Sequence, residues 1–310
     1  MSALLDRRAM LTLAGAGLVA ACTRAPEDVL RIGDQRGGQK SVLAASGNLE
    51  GTSYALEWAE FPNAAPLLEA IAAGAIDTGV GGDAAFIFAV GSGAPIKAIG
   101  GYRGQGQGTV VVVEKDSPIR SFEDLPGRTI ATPRGSVGQN YLLAAMERLG
   151  KPYDAVKFSF LGPSEGRAAL QARAVDGWAI WDPYSAIAEQ TDGCRLIRGP
   201  ADLVANCAFQ FAHAGAVKDK RPQLADFQKR LYRGRDWAVT NPDAYAVVLQ
   251  RETGLPIEIV RTMLGRTKQV PIRIDDSVIA EQQKIADRYA AIGLLPKRID
   301  VRPVFDASFT

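Results

Sequence analysis

The chain has 310 residues, a formal net charge of +2 and 23% charged residues, which is the composition of an ordinary globular protein. A net charge this close to zero argues against the strongly basic surface that nucleic-acid binding requires. With three cysteines and one histidine, the sequence also offers little for a disulfide framework, a metal site or a catalytic triad. We therefore expect no metal, no cofactor and no nucleic-acid partner. Cys194 and Cys207 could pair in an oxidising compartment or stay as buried free thiols.

The first two dozen residues predict an export signal. Arg7 and Arg8 precede a short apolar stretch from Met10 to Ala21, which is too short to span a bilayer. Cys22 follows directly, and the pattern resembles the lipobox of bacterial lipoproteins. This resemblance implies cleavage after Ala21 (signal peptide 1–21), a lipid anchor at Cys22 and an extracytoplasmic, membrane-tethered protein. An ordinary signal peptide is the alternative, and the arginine pair leaves the Sec and twin-arginine export routes both open.

Short apolar strands alternate with amphipathic helices in the first hundred residues after this segment. Strands are predicted at 29–33, 54–61, 76–80 and 96–101, and helices at 40–45, after residue 63 and from residue 83. Such alternation predicts a mostly parallel sheet with helices on both faces. Five glycines lie between residues 100 and 108, a density that no regular element interior carries, so this segment is predicted to cross into a second domain.

The second domain repeats the pattern before the chain returns. Strands are predicted at 109–113, 129–132, 156–161 and 177–180, and helices from 135, at 163–174 and from Asp182, with Asp182 as N-cap and Pro183 at the first helical position. The chain crosses back around 206–213 and is then mainly helical, at 224–241, 243–253, 256–264 and 277–292. The prediction is two doubly wound α/β lobes around a cleft, joined by two crossovers. The first lobe is predicted to contain residues 22–104 and 206–310, and the second residues 105–205.

Ligands of open α/β sheets bind at the carboxyl ends of the strands, where helices begin. The helix starts predicted to face the cleft are Gly82-Asp83-Ala84, Arg134-Gly135-Ser136-Val137 and Trp181-Asp182 with Tyr184. A helix start supplies unpaired N–H groups and a positive dipole end, which together favour an anion. Capping alone also explains Asp83 and Ser136. Trp181 and Tyr184 could line an apolar ligand tail or simply belong to the core.

Stretches spread between residues 31 and 299 resemble the substrate-binding components of bacterial ABC importers, and within them the aliphatic sulfonate branch of the nitrate, sulfonate and taurine group. These stretches are 31–35, 57–62, 67–83, 115–119, 178–184 and 279–299. The resemblance implies a fold like the type II periplasmic binding proteins. It implies a monomeric lipoprotein, not an enzyme, that passes a small organic anion, first of all an aliphatic sulfonate, to permease and ATPase subunits. Nitrate, taurine and a thiamine-pyrimidine precursor are the alternative ligands. An extracytoplasmic sensor domain is the alternative function.

The same resemblance implies a ligand contact for Gln35, and the chain departs from the family pattern nearby. Members commonly have an aromatic residue where this chain has Asp34, and a hydroxyl residue where it has Ala84. They also commonly have Ser-Asn-Val-His where it has residues 136–139. A carboxylate in the cleft would repel a simple anion and favour a ligand that also carries an ammonium group. The alternative is that Asp34 points to solvent and has no role.

Overall fold

A computed structural model describes residues 29–310 of the chain. The predicted signal peptide and Cys22 lie outside the described residues. The strands are β1 Val29–Gln35, β2 Ala55–Phe61, β3 Thr78–Gly82, β4 Ile96–Arg103, β5 Thr109–Val113, β6 Thr129–Thr132, β7 Lys157–Phe160, β8 Gly177–Trp181, β9 Arg195–Ile197, β10 Cys207–His213 and β11 Val270–Ile272. The helices are α1 Gln39–Ala45, α2 Ala64–Ala72, α3 Asp83–Gly91, α4 Val137–Arg148, α5 Pro163–Gln171, α6 Tyr184–Gln190, α7 Ala214–Asp219, α8 Arg221–Thr240, α9 Pro242–Thr253, α10 Ile257–Thr267 and α11 Asp276–Ala291.

The strands form two sheets. Six strands have the order β11-β4-β10-β3-β1-β2, and five have the order β7-β6-β8-β5-β9. We call the part built on the first sheet lobe 1 and the part built on the second lobe 2. The strands of lobe 1 come from residues 29–103 and 207–272, and those of lobe 2 from 109–197. The domain limits at 104/105 and 205/206 stay a prediction.

Both sheets are mixed: within each sheet four strands run in one direction, as a mostly parallel sheet requires, and the difference from a purely parallel sheet lies in β10 and β11 of lobe 1 and β5 of lobe 2, which run in reverse. β1 pairs in parallel with β2 and β3, and β6 with β7 and β8. β10 and β11 in lobe 1 and β5 in lobe 2 make antiparallel pairs. The crossovers explain the difference, because each delivers the chain to the edge where the parallel strands end. β5 begins opposite Trp181 and β10 begins opposite Arg103, so both must run in the reverse direction.

The crossovers bring the carboxyl edges of the two sheets together. Residues 104–108 connect β4 to β5, and residues 198–206 connect β9 to β10. The two segments run side by side, since the Gly104 N–H donates to the Asn206 carbonyl at 3.0 Å. The loops that follow β1, β3, β6 and β8 therefore lie at the junction of the lobes, which is where the sequence analysis placed the binding cleft.

Helices cover both faces of each sheet and bury its apolar residues. In β5, Val111 and Val113 pack into one cluster and Val110 and Val112 into another, as expected for a strand that is covered on both sides. Burial of each such side chain contributes about 1.5–3 kcal/mol. In residues 29–310, no helix is long and apolar enough to cross a membrane, and no group of three acidic, His or Cys side chains could hold a metal ion.

Two further contacts connect the lobes. On one side, α10 of lobe 1 packs on α6 of lobe 2, where the Gln190 amide donates to the Thr262 hydroxyl at 2.7 Å. On the other, α11 of lobe 1 packs on both α3 and α4, and Leu143 of α4 joins the core cluster of lobe 1 that contains Phe86. The junction is therefore braced on two flanks.

Candidate ligand-binding site

The first predicted helix start lies where β3 ends and α3 begins. Gly82 is half-buried at this edge, and Asp83 is 2% exposed. The Asp83 carboxylate accepts the Ala84 N–H at 2.7 Å and the Cys207 N–H at 3.3 Å. Burial raises the pKa of this carboxyl from 3.8 to about 6. Asp83 thus fastens α3 to β10, while the Ala84 side chain is fully buried in the core.

The second helix start, at α4, is built around a glycine. Gly135 has φ +68°, and a Cβ there would lie 2.6 Å from the Phe88 ring of lobe 1, so no larger residue fits. Its N–H donates to the Gln139 side chain at 2.7 Å. Ser136 is the N-cap: its hydroxyl accepts the Gln139 N–H at 3.3 Å and lies 3.2 Å from the Thr132 hydroxyl. The side chains that cap the start of α4 are therefore uncharged.

A cation stands beside this helix start. Arg134 is exposed, and its guanidinium carbon lies 4.0 Å from the centre of the Phe160 ring. Phe160 ends β7 and is 37% exposed. Such a cation–π contact orients the arginine and is worth about 0.5–1 kcal/mol at an exposed site. Sequence reasoning missed Phe160, although an exposed aromatic residue at the carboxyl end of a strand is a usable indication.

The third helix start differs from the prediction. The helix α6 begins at Tyr184 with Pro183 as its N-cap residue, after a cis Asp182–Pro183 peptide, and not with Asp182 as the cap. The Asp182 carboxylate nevertheless accepts the Ala186 N–H at 3.1 Å and an Arg266 N–H at 3.4 Å, and its pKa is raised by burial. With seven residues and an internal carboxylate, α6 offers a poor opening for an external anion.

Two half-buried aromatic rings lie at the same end of β8. The Trp181 and Tyr184 rings meet edge to face with their centres 6.4 Å apart. Each therefore keeps part of its surface outside the core, which is the property that an apolar wall for a ligand tail requires.

The carboxyl end of β1 holds the remaining predicted residues. Gln35 is half-buried, and its amide donates to the Val80 carbonyl at 3.2 Å. The Asp34 carboxylate accepts the N–H groups of Gln39 and Lys40, both at 2.8 Å, and is 7% exposed. Burial raises the pKa of Asp34. Asp34 caps α1, a role that differs from both sequence-based alternatives of a ligand contact and a solvent-facing side chain.

These features share one pattern. Helices α1, α3 and α6 each have an aspartate of their own lobe at the first turn, whereas α4 has the neutral Ser136 and the nearby cation Arg134. A bound carboxylate offsets the positive end of a helix dipole, so of these four helix starts that of α4, which we call the α4 opening, is the one without such an offset. Two α/β lobes joined by two crossover segments, with helix starts at their junction, are the architecture of the solute-binding proteins.

Comparison with known proteins agrees with this class. The chain matches the NMT1/THI5-like family over residues 55–245. It is 32% identical over 305 residues to an Escherichia coli (strain K12) protein named for the binding of aliphatic sulfonates, covering 95% of each chain. The chain belongs to the NMT1/THI5-like family.

Solved structures show the same architecture. The periplasmic aliphatic sulphonate binding protein SsuA from Escherichia coli superposes with a TM-score of 0.81 at 30% identity, covering 89% of this chain and 97% of that one. The alkanesulfonate-binding protein SsuA from Xanthomonas axonopodis pv. citri, bound to MOPS, gives 0.82 at 28% identity, with 90% and 98% covered. The predicted α/β fold of the periplasmic binding proteins is confirmed.

Proposed function

We propose that this chain is the extracytoplasmic solute-binding protein of an ABC importer and that its ligand is an aliphatic sulfonate. The observation that carries the proposal is the α4 opening at the lobe junction, which has no carboxylate of its own and has Arg134 beside it. The likeness to two sulfonate-binding SsuA proteins supports the choice of ligand.

A sulfonate suits this opening because it carries one negative charge on three acceptor oxygens. N–H groups of a helix start bind such a group, and a helix end stabilises a negative charge by about 0.3–1 kcal/mol at an exposed site. The half-buried rings of Trp181 and Tyr184 provide the wall for the alkyl tail. The proposed ligand set is Gln35, Gly82, Arg134, Gly135, Ser136, Val137, Trp181 and Tyr184.

The acidic residues of the sequence-based set are assigned to the fold instead. Asp34, Asp83 and Asp182 hold their own helix starts, and Ala84 lies in the core. We therefore propose no ammonium-binding role for Asp34. The ligand needs only the anionic head and an apolar tail.

Binding without catalysis is the proposed activity. The one histidine, His213, is used as a helix cap, with its Nδ1 accepting the Gly215 N–H at 3.1 Å. Cys194 and Cys207 are buried free thiols, and burial raises the pKa of Cys194 to about 11 and that of Cys207 further. Thiols held neutral in this way are weak nucleophiles.

The proposed function implies a cellular location and partner proteins. We place the mature chain in the periplasm, tethered by lipid at Cys22, with the permease and ATPase subunits of an importer as partners. Closure of the lobes about the crossovers would report the bound ligand to the permease.

The test is calorimetric titration and thermal unfolding of the mature protein with linear alkanesulfonates of two to eight carbons. We expect affinity to rise about fourfold per methylene, since each buried methylene contributes about 0.8 kcal/mol. At one hundred times the Kd, the ligand should stabilise the fold by about 2.7 kcal/mol. Alcohols of equal length are the control and should bind far more weakly. Binding of nitrate, taurine or a pyrimidine alone, or of no sulfonate, would contradict the proposal.

A further inference from the structure

Tyr289 of α11 contacts the proposed anion-binding helix from the opposite lobe. Its hydroxyl donates to the Ser136 carbonyl at 3.0 Å, and the side chain is fully buried. The Ser136 carbonyl also accepts the Asn140 N–H at 3.0 Å, which is the first hydrogen bond within α4. Tyr289 therefore bonds the oxygen from which α4 starts, 153 residues away along the chain.

The neighbouring residue of α11 holds the next part of the same helix. Arg288 donates to the Asn140 side-chain oxygen at 3.2 Å and to the Glu147 carboxylate at 2.7 Å. Its side chain is 14% exposed. Two adjacent residues of lobe 1 thus hydrogen-bond to the first and last turns of α4 in lobe 2.

The other half of α11 faces the start of α3. The buried Gln282 lies seven residues before Tyr289, which puts both on one face of the helix. The Gln282 side chain is fully buried where α11 packs against α3, and its amide has no hydrogen-bond partner among the described residues. α11 therefore packs against both α3 and α4 and reaches the start of α4 through Tyr289.

We propose that Tyr289 is a positioning residue for the ligand: its bond to Ser136 fixes the start of α4 relative to that of α3. The inference rests on the proposed function of the α4 opening. A helix start binds an anion well only when its N–H groups already point at the site, because binding energy is otherwise spent on ordering them. Tyr289 touches no ligand itself and acts through the backbone of Ser136.

The experiment compares Tyr289→Phe with Tyr141→Phe, which removes another buried hydroxyl, the acceptor of the Gly199 N–H at 2.8 Å. For Tyr289→Phe we expect five- to twentyfold weaker binding of every alkanesulfonate, with the increment per methylene unchanged. The Tyr141 variant should bind as the wild type does. Amide exchange of Val137 and Gly138 in the ligand-free protein should be at least tenfold faster in Tyr289→Phe only.

The outcomes are separable. Wild-type exchange and wild-type affinity in Tyr289→Phe would overturn the inference, as would an equal loss in both variants or a change in the methylene increment. If the wild type binds no alkanesulfonate, the proposed function fails, and the exchange rates still decide whether Tyr289 holds the helix. Arg288→Gln is the second variant and should shift affinity in the same direction by a smaller factor.

Discussion

At the scale of single residues, three aspartates at strand ends hydrogen-bond to the N–H groups of the helix starts that follow them. Asp34, Asp83 and Asp182 are 7%, 2% and 9% exposed, and each accepts a backbone N–H from the first turn of the helix that follows it. Burial raises the pKa of all three. Their cost to the fold is desolvation, and each offsets the positive end of its own helix, which leaves the α4 start as the proposed site for an external charge.

Asp83 gives the clearest pH prediction. Its pKa rises from 3.8 to about 6 on folding, so the native state binds the proton more tightly. Stability from this group is full below about pH 4 and falls as the pH rises to about 6, by about 3 kcal/mol. Asp83→Asn should abolish this fall. Urea unfolding of both proteins at pH 4, 5, 6 and 7 measures it.

A control separates this effect from general acid sensitivity. Asp275 is an exposed N-cap whose pKa is lowered by the Ser277 side chain and backbone, so it titrates below 3.8. Asp275→Asn should leave the change between pH 4 and 7 as in the wild type. A difference between wild type and Asp83→Asn that does not vary with pH would show that folding does not raise the pKa of Asp83.

At the scale of elements, the hydrophobic period indicated most helices within a few residues, as for α9, predicted at 243–253 and observed at Pro242–Thr253. The strands β9 and β11 were missed because three residues carry no period. Strand direction in β5 and β10 depends on where the crossovers deliver the chain. The Tyr289–Ser136 bond joins residues 153 apart, and no local pattern predicts such a pair.

The α10–α6 contact allows a prediction about the lobe junction. Arg266 of α10 bonds Glu189 and lies 3.4 Å from the Asp182 carboxylate, whose side chain is fully buried. Arg266→Met removes the cation paired with that buried carboxylate, so we expect a loss of about 3 kcal/mol in the free energy of unfolding. The ligand-free protein should also have a larger radius of gyration, because the contact between α10 and α6 loses its ion pairs and is weakened. Urea unfolding and small-angle scattering measure the two effects.

The same helix supplies the control. Arg261 pairs with Glu258 where both side chains are at least half exposed, and such pairs are worth about 0–1 kcal/mol. Arg261→Met should therefore change stability little and leave the radius of gyration as it is. Equal losses in the two variants would mean that the Asp182 carboxylate is not the reason for the effect of Arg266→Met.

At the scale of the whole molecule, the direction of β1 separates the proposed lipid anchor from the proposed ligand site. β1 begins at Val29 and ends at Gln35, so the amino end of the chain leaves lobe 1 at the edge opposite the lobe junction. Six residues separate Cys22 from Val29, and they reach at most about 25 Å. A lipid anchor at Cys22 would therefore keep the outer edge of lobe 1 near the membrane and the proposed ligand site on the far side.

The anchor itself is testable by fractionation. If Cys22 carries lipid, the wild type should sediment with membranes and be released by detergent, whereas Cys22→Ala should appear in the soluble extracytoplasmic fraction. One lipid chain holds a protein only marginally, so firm retention requires more than one acyl chain on that cysteine. Cys194→Ala is the matched control, because that thiol is buried in lobe 2 and its removal should leave the protein membrane-bound. A wild type found wholly in the soluble fraction would mean an ordinary signal peptide, and the lobes would then be free to turn toward the permease.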